Sequence, residues 1–219
     1  MLCAKTIYNY IDKGLMLIRN HYLPEKVSRK PRCKRVNENK KILGRSIEKR
    51  PDIDNRLELG HWEADLVIGQ KDKADEALLT LLKRQTRKYI LVKIAAKTVS
   101  AVMDGFAKVI EYFGSKFSEV FKTITTDNGS EFAELSRLET VSDTLVYYAH
   151  PYSSWEKGSN ERHNRLVRRF IAKGKRISDY RLDAIAKIED WCNYLPRKIL
   201  GYKSPDDLFE SKLDESYAI

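Results

Sequence analysis

Three acidic residues stand where a carboxylate needs a reason. Asp65 interrupts the apolar run HWEADLVIG at 61–69, and an unpaired buried carboxylate is costly. Asp127 closes the β-branched run TITT and opens Asp127-Asn128-Gly129. Glu161 lies near the start of a helical stretch whose other charges are nearly all positive. Singly, each has a plain explanation. Asp65 fits a salt-bridged core acid, Asp127 the first residue of a turn, and Glu161 an i,i+4 partner of Arg165. Glu63 shares a strand face with Asp65 and competes for its role. Brought together, three carboxylates repel unless a hard divalent cation neutralises them. Magnesium suits oxygen ligands, and manganese can replace it. Two such ions about 4 Å apart can activate an attacking oxygen and stabilise the leaving oxygen of a phosphodiester.

The surrounding patterns supply elements that could bring them together. Residues 61–69, 77–83 and 89–95 read as strands, the last two joined as a hairpin across 84–88. Residues 98–113 switch to a helical period, with Val99, Val102, Met103, Phe106, Ile110 and Phe113 on one stripe and Gly114 as the stop. Residues 121–126 and 144–148 read as two more strands. Helices are expected over 154–172, 182–195 and 204–212. This order predicts an α/β layered domain on a mixed five-stranded sheet. The first and fourth strands would be neighbours, with Asp65 and Asp127 facing each other about 5 Å apart. A helix on the sheet could deliver Glu161 to the same point.

Charge narrows the partner. The chain has 219 residues and a net charge of +10. Residues 1–50 hold fourteen basic against four acidic residues, while residues 51–219 hold 27 of each. The excess therefore sits in a basic N-terminal arm, punctuated by Pro24 and Pro31 and led by a short helix over 6–13. A second basic cluster, Arg162 to Arg181, contains eight basic residues. A polyanion, most simply nucleic acid, fits both. With 42% hydrophobic residues the chain can build a core. No segment is long and apolar enough to span a bilayer, and no signal segment opens the chain. Three unpaired-looking cysteines fit a reducing compartment. The expected location is the cytoplasm, with no small-molecule substrate.

The segments GHWEADLVIG (60–69), TTDNGSEF (125–132), HPYSSWEKGSNERHNRLVRRFI (150–171) and NYLPRKILGYKSP (193–205), with 33 residues between Asp127 and Glu161, resemble the catalytic region of the IS-thirty family of insertion-sequence transposases. These belong to the DDE transposases and retroviral-type integrases, which share a ribonuclease-H-like fold. The resemblance implies that Asp65, Asp127 and Glu161 are the catalytic and metal-binding triad, holding two magnesium ions. It implies DNA contacts at Asn128, Asn160, Arg165, Arg168, Arg169, Lys173, Arg197 and Lys198. Tyr152 and Trp155 are candidates for packing or base stacking. His150 fits a loop hydrogen-bonder and His163 a helix-surface residue.

The expected organisation is a basic DNA-binding arm over 1–50, carrying a remnant helix-turn-helix recognition helix, and an integrase-type core over 51–213. Family members usually carry a longer upstream DNA-binding region, so an N-terminally truncated copy is expected. The expected activity is metal-dependent cleavage and strand transfer at element ends and target DNA, by a homo-oligomer. The alternative is a catalytically silent copy that only binds DNA or inhibits.

Overall fold

The computed structural model describes residues 3–23, 42–50, 58–70, 72, 74–150 and 158–217. It divides into two compact units, residues 1–39 and 40–219. In the first, helix α1 spans Ala4–Asp12. Gly14, at φ +69°, ends it. Its N–H bonds the Ile11 carbonyl while the Leu15 N–H reaches back to Tyr10 at 2.9 Å, a Schellman closure for which the left-handed glycine is needed.

The second unit is built on five strands: β1 (His61–Ile68), β2 (Ala77–Lys83), β3 (Tyr89–Ile94), β4 (Thr123–Thr126) and β5 (Leu145–Tyr148). Their order is β3-β2-β1-β4-β5, with β1–β2 and β2–β3 antiparallel and β1–β4 and β4–β5 parallel. The mixed sheet and the β1–β4 neighbourhood expected from the sequence are both present. Strand β4 starts at Thr123 rather than 121, because Phe121 caps a short helix, α3 (Phe117–Val120), through its N–H to the Phe117 carbonyl.

Alternation along the strands separates two cores. Trp62, Ala64, Leu79, Leu81, Ile124 and Val146 face α2 (Val99–Phe113), which buries Val102, Phe106 and Val109 against them. Trp62 stacks on Phe121 with centroids 4.4 Å apart and donates from Nε1 to the Val120 carbonyl. On the opposite face, Val67, Leu78, Leu82 and Leu91 meet Val167 of α5 (Gly158–Val167) and Ile185, Ile188 and Cys192 of α6 (Leu182–Tyr194). Between β4 and β5 lies a short helix, α4 (Leu138–Val141), and α7 spans Pro205–Tyr217.

Both sheet edges are covered, as exposed strand edges must be. Along β3, Asn193 bonds both the N–H and the carbonyl of Tyr89, and Glu189 accepts the Leu91 N–H at 2.7 Å. Along β5, the Tyr148 N–H donates to the Arg45 carbonyl at 2.8 Å. The basic segment near residue 50 therefore packs on the sheet, beyond the boundary drawn from charge alone. Helix α5 ends at Val167 instead of 172 because the chain turns toward the β1–β2 hairpin. Gly174 N–H bonds the Gly69 carbonyl. The buried Asp75 carboxylate accepts the Ile177 and Ser178 amides at 2.9 and 3.3 Å. Burial alone would raise the Asp75 pKa, but those amides outweigh it and hold it below the ordinary value. Among the described residues, no helix is long and apolar enough to cross a membrane.

Candidate active site

The parallel β1–β4 ladder pairs His61 with Thr123, Trp62 with Ile124 and Glu63 with Thr125. Continuing that register two residues sets Asp65 opposite Asp127, on the face that α5 and α6 cover. Asp65 is half-buried mid-strand, and Asp127 stands just past the end of β4. Glu63, the rival acid, is 1% exposed and ion-paired to Arg84 at 3.6 Å. Its charge is already matched inside the protein.

Helix α5 is tied to this point by Asn164. Its Nδ2 donates to Asp65 Oδ2 at 2.8 Å, and its Oδ1 accepts from the Tyr89 hydroxyl at 2.6 Å. Burial pushes the Tyr89 phenol well above its usual pKa, so it stays a donor. A donor at Oδ1 fixes which end of the amide faces the carboxylate. Neither Asn164 nor Tyr89 was singled out by the sequence. The available signal was position: Asn164 lies one turn after Glu161 and one turn before the half-buried Arg168.

Past β4, the chain makes a tight turn. The Gly129 N–H donates to Asp127 Oδ1 at 3.1 Å. A Cβ on Gly129 would lie 2.9 Å from both Asp127 Oδ1 and Glu131 Oε1, so only glycine lets two carboxylates close around it. Glu131 is 7% exposed and pairs with Lys97 at 3.1 Å, a pairing the sequence did not reveal. Asn128 directs its Oδ1 to the Leu43 N–H at 2.9 Å.

Glu161 is on α5, as expected, but its carboxylate is 62% exposed and pairs with Arg165 at 2.9 Å. Oxygen donors from Asp65, Asp127 and Glu161 suit a hard divalent ion. Among the described residues, however, no three His, Cys, Asp or Glu side chains gather closely enough to hold one. Only an extension of the β1–β4 register sets the two aspartates side by side, whereas Glu161 is turned to its helix neighbour.

The expected DNA contacts are placed differently from one another. Arg169, Lys173 and Lys198 are exposed, Arg169 lying 5.7 Å from the Trp191 ring centroid. Arg168 donates to the Ile68 carbonyl at 2.6 Å and Arg197 to the Cys192 carbonyl at 2.8 Å. Burial lowers the pKa of both guanidinium groups. Asn160 is fully buried, and neither amide atom has a hydrogen-bond partner among the described residues. His163 is not a helix-surface residue. It is 7% exposed against the Tyr89 ring, because its position on α5 faces the sheet. His150 pairs with Glu48 at 3.3 Å. Tyr152 and Trp155 lie outside the described residues.

No protein-family model matches the chain. It is 39% identical over 208 residues to a probable transposase for insertion-like sequence element IS1161 from Streptococcus salivarius, covering 94% of this chain and 58% of that protein. It is 33% identical over 163 residues to transposase InsI for insertion sequence element IS30A from Escherichia coli, covering 74% of this chain and 41% of that protein. The chain thus spans about half the length of these two relatives. Among solved structures, the catalytic core domain of BIV integrase superposes with a TM-score of 0.53 at 17% identity, over 73% of this chain and 99% of that one. That likeness gives the fold, an integrase-core sheet of the ribonuclease-H-like type. Along nearly its whole length the chain is thus similar to insertion-sequence transposases, those of IS30 elements among them, over an integrase-core sheet.

Proposed function

We propose that this chain carries out the DNA chemistry of transposition, cleaving phosphodiesters at element ends and transferring the freed strand to target DNA. One observation carries the proposal: the β1–β4 ladder, extended two residues past its last pair Glu63–Thr125, sets Asp65 opposite Asp127, and Asn164 anchors the helix bearing Glu161 to Asp65. Structural acids have no need of that convergence, and like charges resist it.

In this proposal Asp65 and Asp127 would hold magnesium or manganese, with Glu161 completing the set once released from Arg165. Two ions per site would supply Lewis-acid activation of the attacking and leaving oxygens. In the first reaction a water oxygen bonds to phosphorus and the P–O3′ bond breaks, leaving a 3′-hydroxyl. In the second, that 3′-oxygen attacks a target phosphodiester, and the target's own 3′-oxygen departs as a hydroxyl. Arg165, freed from Glu161, joins Arg169, Lys173 and Lys198 on the DNA backbone. Arg168 and Arg197 join them on leaving the Ile68 and Cys192 carbonyls. Asn128 orients a phosphate or water, and Asn160, one turn before Asn164 on α5, is assigned to the same centre. The working form is a homo-oligomer on DNA.

The test is nicking of supercoiled DNA with manganese. Asp127→Asn keeps the shape and removes the charge, and it is expected to lower cleavage at least about a hundredfold. DNA affinity should change less than twofold. Cleavage by Asp127→Asn at the parental rate would overturn the assignment.

A further inference from the structure

Residues 42–50 run beside β5. Arg45 and Ser46 pair with Tyr148 as a short parallel edge, through the Arg45 carbonyl and a single bridge. Gly44 lies so close to the Tyr148 ring that a Cβ would meet Cε2 at 2.6 Å. Arg45 pairs with Glu139 at 3.2 Å and Glu48 with His150 at 3.3 Å. These contacts are enough to cover the β5 edge.

Two more bonds pass beyond the edge, one reaching β4 and the other the turn that follows it. The Leu43 N–H donates to Asn128 Oδ1 at 2.9 Å, and Arg50 Nη1 donates to Thr125 Oγ1 at 3.0 Å. Thr125 is fully buried and two residues before Asp127; Asn128 is the residue after it. The two ends of the segment thus bracket Asp127. The sheet does not hold it there, because pairing with β1 stops at Thr125 and pairing with β5 at Thr126. A reacting carboxylate must be fixed to within about 0.5 Å.

We propose that residues 42–50 are a positioning strap for Asp127, with Arg50 acting through Thr125 and Leu43 acting through Asn128. This rests on placing Asp127 in the DNA-cleaving centre. The Gly129 amide reports on how firmly Asp127 is held, since its N–H bonds Asp127 Oδ1.

The test compares Arg50→Ala, Arg50→Lys, Thr125→Val, the Arg50→Ala/Thr125→Val double variant, Gly44→Ala and Asp127→Asn in the full chain. The readouts are manganese-dependent nicking, thermal unfolding and amide exchange at Gly129 by NMR. Arg50→Ala and Thr125→Val are each expected to lower kcat about tenfold at unchanged KM for DNA, with the double variant no worse than either. Arg50→Lys should recover most of the loss. Gly44→Ala, which lifts the strap without removing a polar group, should give the same loss. Gly129 exchange should rise about tenfold in Arg50→Ala while the unfolding midpoint stays within a few degrees. Additive losses with a raised KM would make Arg50 a direct DNA contact and overturn the strap. Parental kcat and an unchanged Gly129 amide in Arg50→Ala, beside an inactive Asp127→Asn, would overturn it alone. If Asp127→Asn cleaves normally, the assignment of the centre fails, and Gly129 exchange still decides whether the strap holds the turn.

Discussion

Asn164 and Asp65, 99 residues apart in the chain, are joined by a 2.8 Å hydrogen bond that ties the Glu161 helix to the central strand. Tyr89 completes the arrangement from β3, so one amide links β1, β3 and α5. The bond gives the half-buried Asp65 carboxylate a donor from a separate element.

Replacing Asn164 with Leu should therefore cost about 1–3 kcal/mol, because it leaves Asp65 and the Tyr89 hydroxyl each short of a partner. Cleavage should fall further than stability accounts for. Asn164→Asp should be worse than Asn164→Leu, since it sets a like charge beside Asp65. Chemical denaturation and DNA nicking on the same preparations check both. Parental cleavage by a folded Asn164→Leu protein would show that the bond does not serve the site.

Stability should depend on pH through two groups that take no part in that bond. Burial lowers the Lys83 pKa from 10.5 to about 7, with the Lys122 charge adding to it. Its amine sits among the Trp62 and Phe209 rings without a hydrogen-bond partner among the described residues. The unfolded chain then holds the extra proton between those values, so this contribution to stability is complete above about pH 10.5 and is lost as pH falls to about 7. Burial raises the Glu189 pKa from 4.5 to about 7. Here the folded chain holds the extra proton, so the contribution is complete below about pH 4.5 and is lost as pH rises through 7. Together they predict a stability minimum near neutrality. Lys83→Met should raise stability at pH 7 by about 1–3 kcal/mol and flatten the alkaline limb. Glu189→Gln should flatten the acidic limb. Unfolding midpoints from pH 4 to 10 measure both, and unchanged limbs would refute the assignments.

Removing residues 1–39 takes away nine basic and three acidic residues but keeps the strap. Binding to arbitrary duplex DNA should weaken. The slope of log affinity against log salt should fall by about 0.9 for each phosphate that the arm neutralises. The Gly129 amide should not change. A salt titration decides it: an unaltered slope would mean that the arm touches no phosphate.

The sequence alone determined the strands, the main helices and the residues bearing the acids. Period-2 alternation around Asp65 and the 3.6-residue stripe from Val99 to Phe113 are local patterns, imposed by which side of an element meets the core. Even the β1–β4 neighbourhood followed from the order of elements. Tertiary structure decided how each acid is used. Glu63 and Asp65 look alike on one strand face, and only the fold gives Glu63 to Arg84 and Asp65 to Asn164. The burial of Asn160 and His163 depends on how α5 lies on the sheet, and the turn of Glu161 toward Arg165 on local pairing that spacing permits without requiring. Leu43 with Asn128 and Arg50 with Thr125 join residues 85 and 75 positions apart. Such bonds leave no periodic trace in a sequence, because they form only after separate elements have packed, and there the geometry around Asp127 is set.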